Sequence, residues 1–178
     1  DIEENVKYGL IQKVLGLLLD EKVPVTALEK VFETIADNPG AAPAELAEQV
    51  RTRLGPSIVT PYLTNERRLP AVIFDPVTEQ RLSQSIAGAQ GGGGLGIAPA
   101  EASRLMDRIA ETAQDAMAQG LDPVLLTTAP LRRHMRQIVG RFLPELPVIS
   151  YSEIGGSVQV DVLGTVGLEQ PQAQGAAP

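Results

Sequence analysis

Residues 69–76 read LPAVIFDP, and this stretch decides the fold class. Its first six residues form a nearly continuous apolar run, which is typical of a strand buried on both faces. Asp75 can then cap a helix, and Pro76 suits the first helical position. The stretch therefore predicts a buried strand followed at once by a helix to about residue 87, as in an α/β unit.

Further apolar segments extend this pattern towards the carboxyl end. Residues 124–127 and 147–151 are short apolar runs, whereas residues 158–162 alternate valine with polar residues. Segments whose apolar residues have helical spacing lie between the predicted strands. They predict a long helix from Pro99 to about Gln119 and another that begins at Pro130. The order strand, helix, helix, strand, helix, strand, strand predicts a compact α/β subdomain with a small mixed sheet.

The residues before this unit indicate three short helices. Apolar residues recur at helical spacing from Val6 to Leu18, from Leu28 to Ile35 and from Leu46 to Leu54. Thr26 precedes Glu29 by three residues, which is the spacing of a capping box at the start of the second helix. The predicted fold class is therefore α+β or α/β, in which a small helical subdomain precedes the α/β subdomain.

Three segments follow from these patterns. We expect a three-helix subdomain over residues 1–62 and an α/β subdomain over residues 63–168. Residues 169–178 read EQPQAQGAAP, which has no apolar face, and we expect a flexible carboxyl-terminal tail there.

The connection between the two subdomains is rich in residues that interrupt helices. Gly55 and Pro56 are expected to end the third helix, and Pro61 and Asn65 follow within ten residues. Pro56, Pro61 and Asn65 are therefore the predicted hinge between the subdomains.

Composition excludes several classes of function. The 178 residues carry a net charge of -7, and 3% of them are aromatic, which disfavours nucleic-acid binding. Cysteine is absent, so disulfides, zinc thiolate sites and cysteine nucleophiles are excluded. No segment has the roughly 18 apolar residues that span a bilayer. We also find no signal peptide, and we expect a soluble cytoplasmic chain.

No catalytic, cofactor or metal site is predicted. The glycine run Gly91–Gly94 follows a helix and lacks the lysine of a phosphate-binding loop, so we interpret it as a helix–helix connection. His134 is the single histidine, and the residues around it contain no nucleophile pattern. Its arginine neighbours would also disfavour the protonated imidazolium, so we expect a partly exposed structural histidine.

Four arginines give the helix after Pro130 a basic side: Arg132, Arg133, Arg136 and Arg141. They are the candidate protein-contact surface, for an acidic partner or a phosphate. The alternative is a solvated helix face that pairs locally with acidic neighbours such as Glu145, because runs of surface charge are common and individually weak.

Polar residues at the predicted strand ends leave an enzyme or nucleotide-binding module open as an alternative. Asp75 and Glu79 could form an acid–base pair, although both also suit the start of a helix. Thr127 and Thr128 end a strand, where α/β proteins often bind ligands. They more simply begin the next helix, with Thr128 or Ala129 at its N-cap.

One long block resembles a known family. Residues 123–154 read PVLLTTAPLRRHMRQIVGRFLPELPVISYSEI, and this block resembles the late part of the cytoplasmic domain of type III secretion export gate proteins. Residues 11–25, 69–79 and 163–166 are similar to other parts of the family pattern. The run LPELP at residues 143–147 is more similar to the flagellar branch than to the injectisome branch.

The resemblance implies a non-enzymatic protein-interaction part of an export gate. Family members have a membrane part upstream, lie at the cytoplasmic face of the bacterial inner membrane and assemble as a ring. Their partners are export chaperone–substrate complexes and other export apparatus proteins, and they take part in ordering secretion. The sequence departs from the family at Thr26-Ala27, where Arg-Asp is common, and at Pro56, where arginine is common. Ring contacts through those charges are therefore in doubt here.

Overall fold

The structure is a computed structural model that describes residues 2–88 and 96–168. The glycine run at residues 91–94 and the predicted tail at residues 169–178 lie outside the described residues. The elements are, in chain order, α1 (Ile2–Asp20), α2 (Leu28–Asp37), α3 (Pro43–Val59), a first short 3-10 helix (Thr60–Tyr62), β1 (Arg68–Phe74), α4 (Pro76–Gly88), α5 (Pro99–Ala118), β2 (Val124–Thr127), α6 (Ala129–Phe142), β3 (Val148–Ser150), a second short 3-10 helix (Tyr151–Glu153) and β4 (Gln159–Val166).

The four strands form one sheet in the order β3-β2-β1-β4. The predicted fold class is confirmed, but the sheet is not mixed, because all three strand pairs are parallel. The short separation of β3 and β4 suggests a hairpin, yet residues 151–158 carry the chain across the sheet to its other edge. Ile154 and Val158 pack into the core along this connection.

Helices cover both faces of the sheet, because alternate side chains of a strand point to opposite sides. One face packs against α1, α2 and α3, and its buried sheet residues are Leu69, Ala71, Val124, Leu126 and Ile149. The other face packs against α4, α5 and α6, and its buried sheet residues are Val72, Phe74, Leu125, Val148 and Val166. The first three helices therefore share a core with the sheet. The subdomain boundary at residue 62 stays a prediction.

The third helix does not end at Gly55 and Pro56 as predicted. It continues through both residues to Val59, with Pro56 inside the helix. A proline inside a helix removes one backbone hydrogen bond. Here Leu54, Ile58 and Val59 are buried in the core around it, so tertiary packing holds the last turn.

The second helix is less buried than its pattern predicts. Leu28 and Phe32 are 43% and 45% exposed, although both belong to the predicted apolar stripe. The predicted capping box is also wrong, because the N-cap is Ala27 and makes no side-chain capping bond. None of the helices in the described part of the chain is long and apolar enough to cross a membrane.

Candidate functional site

The four arginines of α6 do not share one environment. Arg132 is 1% exposed, Arg133 and Arg136 are half-buried and Arg141 is exposed. Placing Arg132 on the contact surface was therefore wrong. It lies three residues before the buried Met135, on the helix face that points inwards.

Arg132 connects α6 to the helical layer. Its Nε donates to Glu48 Oε2 at 2.7 Å, and its Nη2 lies against the other oxygen of the same carboxylate. Nη1 and Nη2 donate to the two oxygens of Glu21 at 2.7 and 3.0 Å. Nη1 also donates to the carbonyl oxygen of Val148 at 3.2 Å. One guanidinium thus holds two carboxylates and an edge strand, in the bidentate geometry that suits arginine.

Arg51 of α3 connects the helical layer back to the α/β part. Its Nη2 lies 2.8 Å from Glu153 Oε1 as an ion pair, and it donates to Val148 O at 3.3 Å. Its Nη1 donates to Glu21 Oε2 at 3.2 Å. Glu153 is fixed in turn, because its Oε2 accepts hydrogen bonds from the amide and hydroxyl of Ser150. We call Glu21, Glu48, Arg51, Arg132 and Glu153 the ion network.

The pKa values of the network follow from its pairing. Burial by itself would raise the pKa of Glu21, but the hydrogen bond from Arg132 and the charges of Arg132 and Arg51 outweigh it and lower that pKa. Burial would lower the pKa of Arg132, and hydrogen bonds to Glu48 and Glu21 raise it instead. These groups therefore stay charged, as a paired buried network requires.

Two of the predicted contact arginines are available to a partner. Arg133 and Arg141 make no hydrogen bond or ion pair among the residues that the structure describes. Glu145, the acidic neighbour expected to pair with this helix, lies 3.4 Å from Lys22 instead. Arg136 donates to the carbonyl oxygen of Leu146 at 3.1 Å. The protein-contact role of Arg133, Arg136 and Arg141 stays a prediction.

His134 is half-buried beside these arginines. Burial and then the charge of Arg133 lower its pKa, which favours the neutral imidazole. Its Nδ1 is buried without a hydrogen-bond partner among the described residues. Within residues 2–88 and 96–168, no carboxylate accepts a hydrogen bond from His134 Nδ1, which is the orienting contact of a catalytic histidine.

The carboxylates at the strand ends make structural contacts. Asp75 Oδ1 accepts the amide of Thr78 at 2.8 Å, which confirms Asp75 as a helix cap. Glu79 does not cap its own helix. Its Oε1 accepts hydrogen bonds from the hydroxyl of Thr127 at 2.8 Å and the amide of Thr128 at 2.9 Å, so it fixes the start of α6. Thr128 is the N-cap of α6, as predicted.

Two concave regions lie between the helical layer and the α/β part. A cavity of about 240 Å³ is lined by Glu21, Arg51 and Arg136. A groove of about 640 Å³ runs between α3 and the start of α6, and Glu48 and Arg133 lie along it.

The predicted hinge residues occupy three kinds of local structure. Pro56 lies inside α3, Pro61 lies in the first short 3-10 helix, and Asn65 lies in the turn before β1. A hinge role for these residues stays a prediction.

Comparison with known proteins identifies the family. The sequence pattern of the FHIPEP family matches residues 1–159. The chain belongs to the FHIPEP family. The matched range includes the whole block at residues 123–154, so the resemblance to export gate proteins is confirmed.

FHIPEP relatives include flagellar proteins. The flagellar biosynthesis protein FlhA of Escherichia coli is 33% identical over 164 residues, which are 91% of this chain and 23% of that protein. FlhA of Bacillus subtilis is 29% identical over 90% of this chain and 24% of its own length. The chain thus spans about a quarter of the length of these relatives.

Solved structures show the same fold. The crystal structure of the C-terminal domain of InvA matches with a TM-score of 0.74 and 28% identity, over 88% of this chain and 48% of that one. The nonameric cytosolic domain of EscV from the type III secretion system matches with a TM-score of 0.70 and 26% identity, over 86% of this chain and 46% of that one.

Proposed function

We propose that this chain is a protein-interaction and ring-assembly part of a flagellar type III protein export gate, with no catalytic role. The observation that carries the proposal is the FHIPEP match over residues 1–159. The flagellar branch is favoured because FlhA of Bacillus subtilis and FlhA of Escherichia coli, at 29% and 33% identity, are among its relatives, and because the run LPELP at residues 143–147 is more similar to that branch. In this proposal the chain works at the cytoplasmic face of the inner membrane, joined to a membrane part upstream.

The exposed face of α2 supports self-association. Leu28 and Phe32 lie four residues apart, so they share one side of the helix, and each is more than 40% exposed. The helix is amphipathic, yet this part of its apolar side has no cover among the described residues. We propose a second copy of the chain as the cover, because the similar EscV domain is nonameric. Ring-like, head-to-tail contacts between copies would bury the face.

Sedimentation velocity tests this surface. Leu28→Ser with Phe32→Ser, in a fragment that includes the whole cytoplasmic part, should reduce assembly at a given concentration. Val77→Ser is the matched control, since Val77 is 68% exposed on α4 and lies away from α2. Assembly that is unchanged in the double variant, or equally reduced in the control, would remove α2 as the ring surface.

A second surface suits the docking of export chaperone–substrate complexes or other export apparatus proteins. Arg133 lines the groove between α3 and α6, and Arg141 lies exposed on the same helix. Unpaired guanidinium groups on a chain of net charge -7 form a local positive site. They favour an acidic partner, because complementary charge steers association and selects partners.

Calorimetric titration of flagellar chaperone–substrate complexes tests the docking surface. Arg133→Glu with Arg141→Glu should weaken binding, and the loss should shrink at high salt because these contacts are exposed. Lys30→Glu is the control, because it also reverses an exposed charge but lies on α2. Equal binding by the charge-reversed α6 variant would contradict the proposal.

The injectisome branch remains the alternative, because the InvA domain and the EscV domain share the fold and are 28% and 26% identical to this chain over the aligned residues. Binding of injectisome chaperone complexes, without binding of flagellar ones, would favour it.

A further inference from the structure

The ion network links the helical layer (α1–α3) to the α/β part of the chain, and each of the two parts contributes one arginine to it. Arg132 reaches from α6 to Glu21 and Glu48 of the helical layer. Arg51 reaches from the helical layer to Glu153 of the α/β part. Both guanidinium groups donate to the same carbonyl oxygen, that of Val148 on the edge strand β3. Any movement of one half relative to the other would break several of these contacts together.

Backbone packing adds a second constraint at the same place. An added Cβ on Gly55 would lie 2.3 Å from the carbonyl oxygen of Glu153. The helix α3 therefore approaches the second short 3-10 helix closely, next to the Arg51–Glu153 pair. Sliding or rotating α3 in either direction would lose this fit or produce a collision.

Apolar packing and the ion network make different contributions. Burial of apolar side chains is non-directional, so the face made by Leu69, Val124 and Ile149 holds the helical layer on the sheet but constrains its orientation less sharply than hydrogen-bonded ion pairs do. A buried charge is different, because removing its partner costs about 3–5 kcal/mol. Arg132 and Glu153 have side chains only 1% exposed, so neither can exchange its partner for water in a shifted arrangement.

We infer that the ion network is an orientation lock: it fixes one arrangement of α1–α3 on the sheet. The exposed face of α2 and the basic face of α6 are then held in a single relative geometry. The lock acts against movement at the predicted hinge residues Pro56, Pro61 and Asn65. It follows from contacts within this chain and does not depend on the export role.

Pulsed electron spin resonance measures this orientation directly. The chain has no cysteine, so Lys30→Cys on α2 and Gln137→Cys on α6 place one spin label on each half at exposed positions. The lock predicts one narrow distribution of label distances in the otherwise unchanged chain. A broad or double distribution there would overturn the inference and favour the hinge.

Two substitutions then separate the lock from overall stability. Arg132→Met keeps an unbranched apolar stem but removes the guanidinium group and its charge, and it should broaden or shift the distance distribution. Arg133→Met is the matched control on the same helix and should leave the narrow peak unchanged. A folded Arg132→Met variant with the original narrow peak would overturn the inference.

A third variant covers the case in which Arg132→Met does not fold. Glu21→Gln, Glu48→Gln and Arg132→Met together remove Arg132 and both of its carboxylate partners, and Arg51 keeps its ion pair with Glu153. No buried charge is then left unpaired, and such replacements often keep stability. Circular dichroism confirms the fold. The lock predicts loss of the narrow peak in this variant, and retention of the peak would contradict it.

Discussion

Gly55 shows most directly how a single residue sets the packing of the two halves. It lies inside α3, where any residue other than proline would be a better helix former. Its missing side chain allows the carbonyl of Glu153 to approach. The close approach brings Glu153 within reach of Arg51. The glycine that the sequence suggested as a helix end is therefore required by contact between elements.

Gly55→Ala should destabilise the chain by about 2 kcal/mol or more, because overpacking at a backbone contact forces the elements apart. Gly16→Ala is the control within a helix, since an added Cβ there meets nothing within 4 Å. That control should instead stabilise by up to about 1 kcal/mol. Urea unfolding of both variants measures the difference. A neutral Gly55→Ala would show that α3 and the second 3-10 helix are free to separate.

Glu21 predicts how stability depends on pH. Its pKa in the folded chain is lowered from 4.5, in spite of burial, by the hydrogen bond and charge of Arg132. A carboxyl whose folded pKa is depressed stabilises the fold fully above its unfolded pKa, and this contribution is lost as the pH falls through the folded value. Unfolding free energy should therefore fall on acidification below about pH 5.

The contribution of Glu21 can be separated from that of other carboxyls. Glu21→Gln should be less stable at neutral pH and should show a shallower fall on acidification. The exposed Glu66→Gln provides the comparison and should keep the original slope. If Glu21→Gln retains the full slope in urea titrations, other groups control the acid response.

At the scale of elements, local patterns predicted most helices and strands. The run at residues 69–74 formed β1, and Pro76, Pro99 and Pro130 lie in the first turn of α4, α5 and α6. Local patterns failed where distant contacts decide. Arg132 was assigned to the contact surface because it lies among three other arginines on the same helix. Its partners Glu21 and Glu48 lie 111 and 84 residues away, so no local signal marks them.

Glu79 of α4 also connects two elements, because its carboxylate accepts hydrogen bonds at the start of α6. Glu79→Ala should destabilise by about 1–3 kcal/mol, since the buried Thr127 hydroxyl loses its acceptor. Glu79→Gln keeps one acceptor oxygen and should recover part of the loss. Gln80→Ala, on the exposed side of the same helix, is the control for helix propensity. Thermal unfolding that ranks glutamine no better than alanine would contradict this role.

At the scale of the whole molecule, the fold class followed from the order of elements, but the direction of strands did not. Spacing alone cannot tell a hairpin from a connection that crosses the sheet, as residues 151–158 do. The amphipathic pattern of α2 also predicted that Leu28 and Phe32 are buried. Contacts within the described chain leave both side chains more than 40% exposed. A helix face that is apolar in sequence and exposed in structure is what a surface between subunits requires.

The most direct test of the export role is deletion, from the gene of the source organism, of the codons for residues 1–168. Flagellar filaments are then counted by electron microscopy, and exported filament protein is measured in the medium. The account predicts that filaments and export are lost and that the intact gene supplied in trans restores both. Normal filaments with normal export would contradict the flagellar export role.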